Sequence, residues 1–162
     1  MKKKFTLMAA VLVLLVSACK KDSTTKKTTA GENSWTLDGV TYKTAISNKG
    51  LTGGGDVTFL VNFWAAAPNA DLRVNGVAVS FKEAPTASGT FQLKGGVGGT
   101  LAANQFELAA ATLTNTYAYL GPNIDISVTI TGGKIKIVIP EIMLKNAAGG
   151  ADVKLSGTVQ EL

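Results

Sequence analysis

From Ser34 onward, hydrophobic and polar residues alternate with a period of two over most of the chain. This alternation is typical of β-strands, whose successive side chains point to opposite faces of a sheet. The longest case covers residues 124–139, where Ile and Val alternate with polar residues on both sides of Gly132-Gly133. Two glycines between two such runs are typical of a tight turn. The pattern therefore predicts a long amphipathic β-hairpin.

Two dipeptides of the Asp-Gly and Asn-Gly type lie between other alternating runs. Both residues of such a dipeptide tolerate the positive φ angles of a type I′ turn. The predicted hairpins join residues 35–37 to 40–42 through Asp38-Gly39, and residues 72–74 to 77–81 through Asn75-Gly76.

Further strands are predicted at residues 57–64, 90–93 and 153–159. Residues 106–119 are ambiguous, because three consecutive alanines favour helix while the threonines and tyrosines after them favour strand; we predict strand. Pro140 has no amide donor and is expected to end a strand or to lie at an edge. Gly157 interrupts the last strand, where a bulge is expected.

These patterns predict an all-β domain over residues 34–162, with roughly eight to ten short strands. The domain is either an antiparallel β-sandwich or a partly closed β-barrel, and the sequence leaves both open. Its 129 residues, from 162 less 33, are the usual size of one domain with one core.

The first 18 residues have the composition of a secretory signal, with Lys2, Lys3 and Lys4 before an apolar run over residues 5–16. Val16-Ser17-Ala18-Cys19 resembles the lipobox of bacterial lipoproteins. The resemblance implies cleavage before Cys19 and diacylglyceryl and acyl chains on that cysteine, which together bind membranes stably. Residues 19–33 are rich in Lys, Thr and Ser and are expected to form a flexible tether.

The order of features in the domain resembles small Bacteroidota lipoproteins of unknown function. The motifs that carry it are the opening Trp-Thr-Leu-Asp-Gly-Val-Thr-Tyr, Ser88-Gly89-Thr90-Phe91 and the closing Leu155-Ser156-Gly157-Thr158-Val159. The resemblance implies a β-sandwich-like domain anchored to the outer membrane by lipid, and no known chemistry. Whether the domain faces the periplasm or the cell surface is open.

The chain has a net charge of +5, but its excess of lysine precedes Ser34. From Ser34 onward nine basic residues are balanced by nine acidic ones, and only one of the basic residues is arginine. Nucleic-acid binding needs clustered Lys and Arg to neutralise phosphates. We therefore expect no nucleic-acid partner.

The sequence contains no histidine, and its only cysteine is Cys19. Histidine-based triads, the usual zinc sites and a thiol nucleophile are therefore absent from the predicted domain. Asn69, Asp71 and Asn75 bear oxygen ligands, but their spacing departs from that of a calcium-binding EF-hand loop. We expect no metal, no cofactor and no catalytic residue.

Trp64, Tyr117 and Tyr119 are the candidate ligand-binding residues, since Trp and Tyr on a rigid sheet make good binding platforms. Tyr117 and Tyr119 share one face if their segment is extended. The predicted function is that of a membrane-anchored lipoprotein with a non-catalytic β domain, which binds a glycan, a peptide or an envelope protein. The alternative is a carrier with a small apolar ligand inside a β-barrel.

Overall fold

The computed structural model describes residues 33–52 and 58–162. The predicted signal peptide, Cys19 and the tether up to residue 32 lie outside the described residues, as does Val57. Asn33, the last residue of the predicted tether, belongs to the folded domain. Its carbonyl accepts the Thr44 N–H at 3.1 Å and its side-chain oxygen accepts the Gln160 N–H at 2.9 Å.

All the regular structure of the described residues is β-strand, which confirms the predicted fold class. The eleven strands, in chain order, are β1 Ser34–Leu37, β2 Val40–Lys43, β3 Ile46–Leu51, β4 Phe59–Trp64, β5 Gly76–Phe81, β6 Gly89–Leu93, β7 Gln105–Ala111, β8 Thr116–Ala118, β9 Ile124–Thr131, β10 Lys134–Asn146 and β11 Val153–Gln160.

Five strands close on themselves in the order β10-β9-β6-β7-β8, with β8 pairing both β7 and β10. The remaining strands extend this ring in two flanks. Strands β11, β1 and β2 continue from β10, and strands β5, β4 and β3 continue from β7. The β6–β7 pair is parallel, whereas the other pairs between described strands are antiparallel. The fold is thus a closed five-strand barrel with further strands outside it on two sides.

One buried cluster fills the space between the strands. It takes side chains from the ring and from both flanks; the largest fully buried ones include Trp35, Phe63, Phe81 and Phe106. Each such side chain contributes roughly 1.5–3 kcal/mol by burial. The hairpin β1–β2 is confirmed, with Asp38 and Gly39 at φ 51° and 77°. The long hairpin β9–β10 is confirmed as well.

The predicted hairpin at Asn75-Gly76 is wrong. Residues 65–75 form a loop, and Gly76 is the buried first residue of β5, which pairs with β4 on one side and β7 on the other. Gly76 is needed for a close approach: a Cβ on this residue would lie 2.7 Å from the Trp64 ring. The Asn-Gly pair therefore marks a packing contact and not a turn.

Pro140 neither ends β10 nor lies at an edge strand, because β10 continues to Asn146. The proline lies in a bulge of the β10–β11 ladder between Ile139 and Ile142. The extra residue leaves two consecutive positions, Pro140 and Glu141, exposed, so that Ile139 and Ile142 both face the core. The bulge expected at Gly157 is thus found beside the Ile139–Gly157 pair, with the extra residue on β10 and not on β11.

Residues 106–119 are strand, as predicted, but they form two strands, β7 and β8, joined by a loop over residues 112–115. Of the three alanines of β7, Ala110 is buried, and Ala109 and Ala111 are half-buried on the other face. Strand β3 was not predicted, since Asn48, Lys49 and Gly50 interrupt its apolar pattern. It lies at the edge of its flank, where a strand does not require two apolar faces.

Candidate functional site

Trp64 lies on the outer face of the β3–β4–β5–β7 flank. Its cross-strand neighbour on β5 is Gly76, and the neighbour of Gly76 on β7 is Ala111. The next row of this face continues with Ala78 and Ala109. The indole is half-buried against Gly76, its cross-strand neighbour on β3 is Ile46, and the small residues of β5 and β7 lie on the Gly76 side. This arrangement leaves one large aromatic ring beside a shallow, low-relief surface.

A pocket of about 300 Å³ opens next to this face. Residues 72–74 form one wall, and the other is formed by Ala111, the last residue of β7, with the loop and strand start over residues 112–116. Ala111 is separated from Trp64 by the width of one strand, β5. The volume is at the lower end of the ~300–1,000 Å³ range of small-molecule sites.

Residues 65–75, which we call the Arg73 loop, are ordered largely by one side chain. The Asn69 Oδ1 atom accepts the N–H groups of Asp71 and Arg73 at 3.0 and 2.8 Å. The Asn69 backbone adds two bonds, donating to the Arg73 carbonyl and accepting the Leu72 N–H. This self-contained turn needs no acceptor from elsewhere in the fold.

The Arg73 loop holds Leu72 in an unfavourable conformation. Leu72 has φ 58°, in the left-handed region that few residues other than Gly and Asn adopt. Its side chain is 83% exposed, so no burial offsets the strain. On the opposite wall of the pocket, Leu113 is 45% exposed. Two leucines thus flank the opening, one of them on a strained backbone of the kind found at ligand sites.

Arg73 bridges the two walls. Its Nη1 atom donates to the Leu113 carbonyl at 3.0 Å, and the Asn75 Oδ1 atom accepts the Leu113 N–H at 3.2 Å. These two bonds connect the Arg73 loop to the β7–β8 loop. The ion pairs found in the described part of the chain involve Lys49, Lys145 and Lys154, and none of them involves Arg73. Arg73 is exposed and lines the pocket.

Tyr117 and Tyr119 are 5% and 4% exposed and belong to the core cluster. They share one face, as expected, but it is the inner face of the sheet. Burial raises the pKa of the Tyr119 phenol above its ordinary value, and the hydroxyl donates to the Pro122 carbonyl at 2.5 Å. Neither ring is exposed as a surface platform, so this predicted platform is corrected: these residues stabilise the core. Ligand binding by Trp64 stays a prediction.

The buried carboxylates of the described residues are engaged in structural contacts. Glu107 accepts the N–H groups of Gly98 and Gly99 at 3.0 and 3.2 Å. Glu161 accepts the Ile135 N–H at 2.7 Å and pairs with Lys49 at 3.1 Å. Within the described residues no group of three or more Cys, Asp or Glu side chains is arranged to hold a metal ion. The oxygens of Asn69 and Asn75 are likewise used by backbone amides.

The sequence points to Trp64 as a candidate ligand-binding residue, and Leu72, Arg73 and Leu113 were not predicted. The signal that could have found Arg73 is its uniqueness, because it is the only arginine in the sequence. The alternating pattern predicts a strand over residues 72–74, and this prediction places Arg73 in regular structure and not in a loop.

Over residues 33–52 and 58–162, no helix is long and apolar enough to span a bilayer. Comparisons of the chain with protein-family models, with curated proteins and with solved structures find no match.

Proposed function

We propose that this chain is a lipid-anchored bacterial lipoprotein whose β domain is a non-catalytic binding module, with the pocket between the Arg73 loop and residues 111–116 as its binding site. The observation that carries the proposal is the pocket itself, flanked by two exposed leucines on the side of the sheet where Trp64 lies. Exposed apolar side chains around a concave surface favour ligand binding over a purely structural role.

The chemistry of the domain supports binding without catalysis. The sequence offers no histidine and no cysteine after residue 19 to act as a base or nucleophile. Glu107 and Glu161, the buried acids, each accept backbone N–H groups, as structural carboxylates do. The alternative, an apolar carrier, has less support, because the inward-facing side chains of the ring belong to one contiguous buried cluster.

The binding site can be tested with a pair of matched variants. We expect Leu113→Ser to weaken binding of ligands found by screening glycans, peptides and envelope proteins against the membrane-extracted protein. Leu120→Ser is the control, since Leu120 is 51% exposed compared with 45% for Leu113. It lies four residues beyond Thr116, about 13 Å along an extended segment. A screen without any ligand, or equal losses in both variants, would contradict the proposal.

The anchor is proposed from the lipobox pattern and tested separately. In a bacterial host that lipidates such signals, we expect Cys19→Ala to abolish incorporation of labelled palmitate and to release the protein from the membrane fraction. The control is Lys20→Ala, a substitution of the next residue, which leaves the Cys19 thiol in place. Retention of the label in Cys19→Ala would show that the lipid is attached elsewhere, and absence of label from the unsubstituted protein would show that the chain is not lipidated.

A further inference from the structure

The lining of the pocket carries a positive charge and no negative charge. Of the residues that line the pocket, only Arg73 carries a charge, and the others are apolar, hydroxyl or amide residues. The described residues place no carboxylate within ion-pair distance of its guanidinium. A cation in a concave wall without a protein counter-charge attracts anions to that wall.

The orientation of Arg73 is fixed at one end. One of its five N–H donors is held by the Leu113 carbonyl. This bond crosses the pocket from the Arg73 loop to the β7–β8 loop, so the guanidinium is positioned before any ligand arrives. The remaining donors form the planar fork that matches a carboxylate with two parallel hydrogen bonds.

The flanking residues select the group beside that anion. Leu72 and Leu113 supply apolar contact area at the opening, and the strain at Leu72 is maintained by the bonds from Asn69. Asn adopts a left-handed conformation at a lower conformational energy than Leu does. A leucine at this position is therefore unfavourable unless its side chain contacts something outside this chain. The pocket thus offers one site for an anion and adjoining sites for an apolar group.

We infer that the pocket binds the carboxyl terminus of a peptide whose last residue is apolar, with the carboxylate on Arg73 and the side chain between Leu72 and Leu113. This inference rests on the proposed function and specifies its ligand. A volume of about 300 Å³ accommodates the end of a peptide and not a longer segment of it. A free carboxylate beside an apolar side chain is the chemistry that such an end presents.

Asp71 is the acidic residue nearest to Arg73 in the loop. Its backbone N–H donates to Asn69, and its side chain is exposed. A carboxylate ligand would be repelled weakly by this side chain through solvent. We therefore expect Asp71→Asn to bind the peptide about two- to threefold more tightly, an effect that high salt removes.

The test uses N-acetyl-Ala-Ala-Leu as the free acid and as the C-terminal amide, titrated into the membrane-extracted protein by calorimetry. We expect the acid to bind about tenfold more tightly than the amide, as a charge-assisted contact to arginine provides. Arg73→Gln should remove this preference, so that the acid and the amide bind with equal affinity.

Lys82→Gln is the matched control. It removes the same charge from the residue that follows β5, about 20 Å from Gly76 at the other end of that strand. The preference for the acid should survive in this variant.

Three results would overturn the inference: no binding of the acid at millimolar concentration, equal binding of acid and amide, or a preference that persists in Arg73→Gln. Binding of glucuronate that depends on Arg73, without binding of the peptide acid, would overturn it too, because the ligand would then be a sugar acid. The proposed function fails by a different result. It falls if the wider screen finds no ligand, or if Leu113→Ser weakens binding no more than the control Leu120→Ser.

Discussion

Two loops of the domain, one rich in glycine and one without glycine, are held by hydrogen bonds of different kinds. The segment that we call the glycine loop, residues 94–100, contains four glycines, yet each of their amides donates to an acceptor outside the loop. Gly95 donates to Asn123, Gly96 to Tyr119, and Gly98 and Gly99 to Glu107. Four glycines in one short segment are typical of a flexible loop tip. These hydrogen bonds nevertheless connect the glycine loop to the rest of the domain.

The Arg73 loop contains no glycine and is held by its own Asn69. The hydrogen bonds of its turn are satisfied within the loop, and Leu72 and Arg73 are exposed. The loop is joined to the β7–β8 loop through the bonds of Arg73 and Asn75 to Leu113. The glycine loop resembles an anion-binding nest whose anion, Glu107, is supplied by the protein itself. The difference indicates that the acceptors around a loop, more than its glycine content, decide whether its amides bond within the loop or to the rest of the domain.

The largest expected effect is in the glycine loop. A Cβ at Gly95 would lie 1.8 Å from the Gly121 carbonyl oxygen, so we expect Gly95→Ala to destabilise the protein by about 3 kcal/mol or more. Urea unfolding measures this loss. Gly50→Ala is the control, because a Cβ there meets nothing within 4 Å. Equal stabilities of the two variants would mean that the glycine loop is not packed as described.

A smaller loss of stability is expected when Glu107, the anion of this nest, is replaced by a neutral side chain. Glu107→Gln keeps the shape of the side chain but replaces one acceptor oxygen by a donor, so either Gly98 or Gly99 loses its bond. We expect a loss of about 1–2 kcal/mol and faster hydrogen exchange at these two amides. Exchange in the Arg73 loop should not change. Unaltered exchange at both glycines would show that Glu107 does not order the loop.

The smallest effect, of opposite sign, is expected at Leu72. Asn tolerates φ 58° better than Leu, so Leu72→Asn should stabilise the protein by about 0.5–1 kcal/mol while weakening ligand binding. Leu72→Ala separates the two effects, since it removes the side chain and leaves most of the strain. Thermal unfolding and peptide titration measure them. A loss of stability in Leu72→Asn would mean that the leucine contributes to the fold.

The all-β class and the hairpins β1–β2 and β9–β10 could be predicted from the sequence, because alternation and turn residues act over short distances. The hairpin at Asn75-Gly76 could not, because the Gly76 contact that decides it is with Trp64, on a strand twelve residues earlier. The same holds for Pro140, whose bulge depends on its pairing with β11.

The sequence by itself determined which residues alternate. It also determined that histidine is absent, that Cys19 is the only cysteine, and that residues 16–19 resemble a lipobox. Only the tertiary structure decided that Tyr117 and Tyr119 face the core and that Arg73 faces a pocket. The physical reason is that strand alternation specifies two faces without saying which one is covered. That depends on strands distant in sequence, as when β8 closes the ring between β7 and β10.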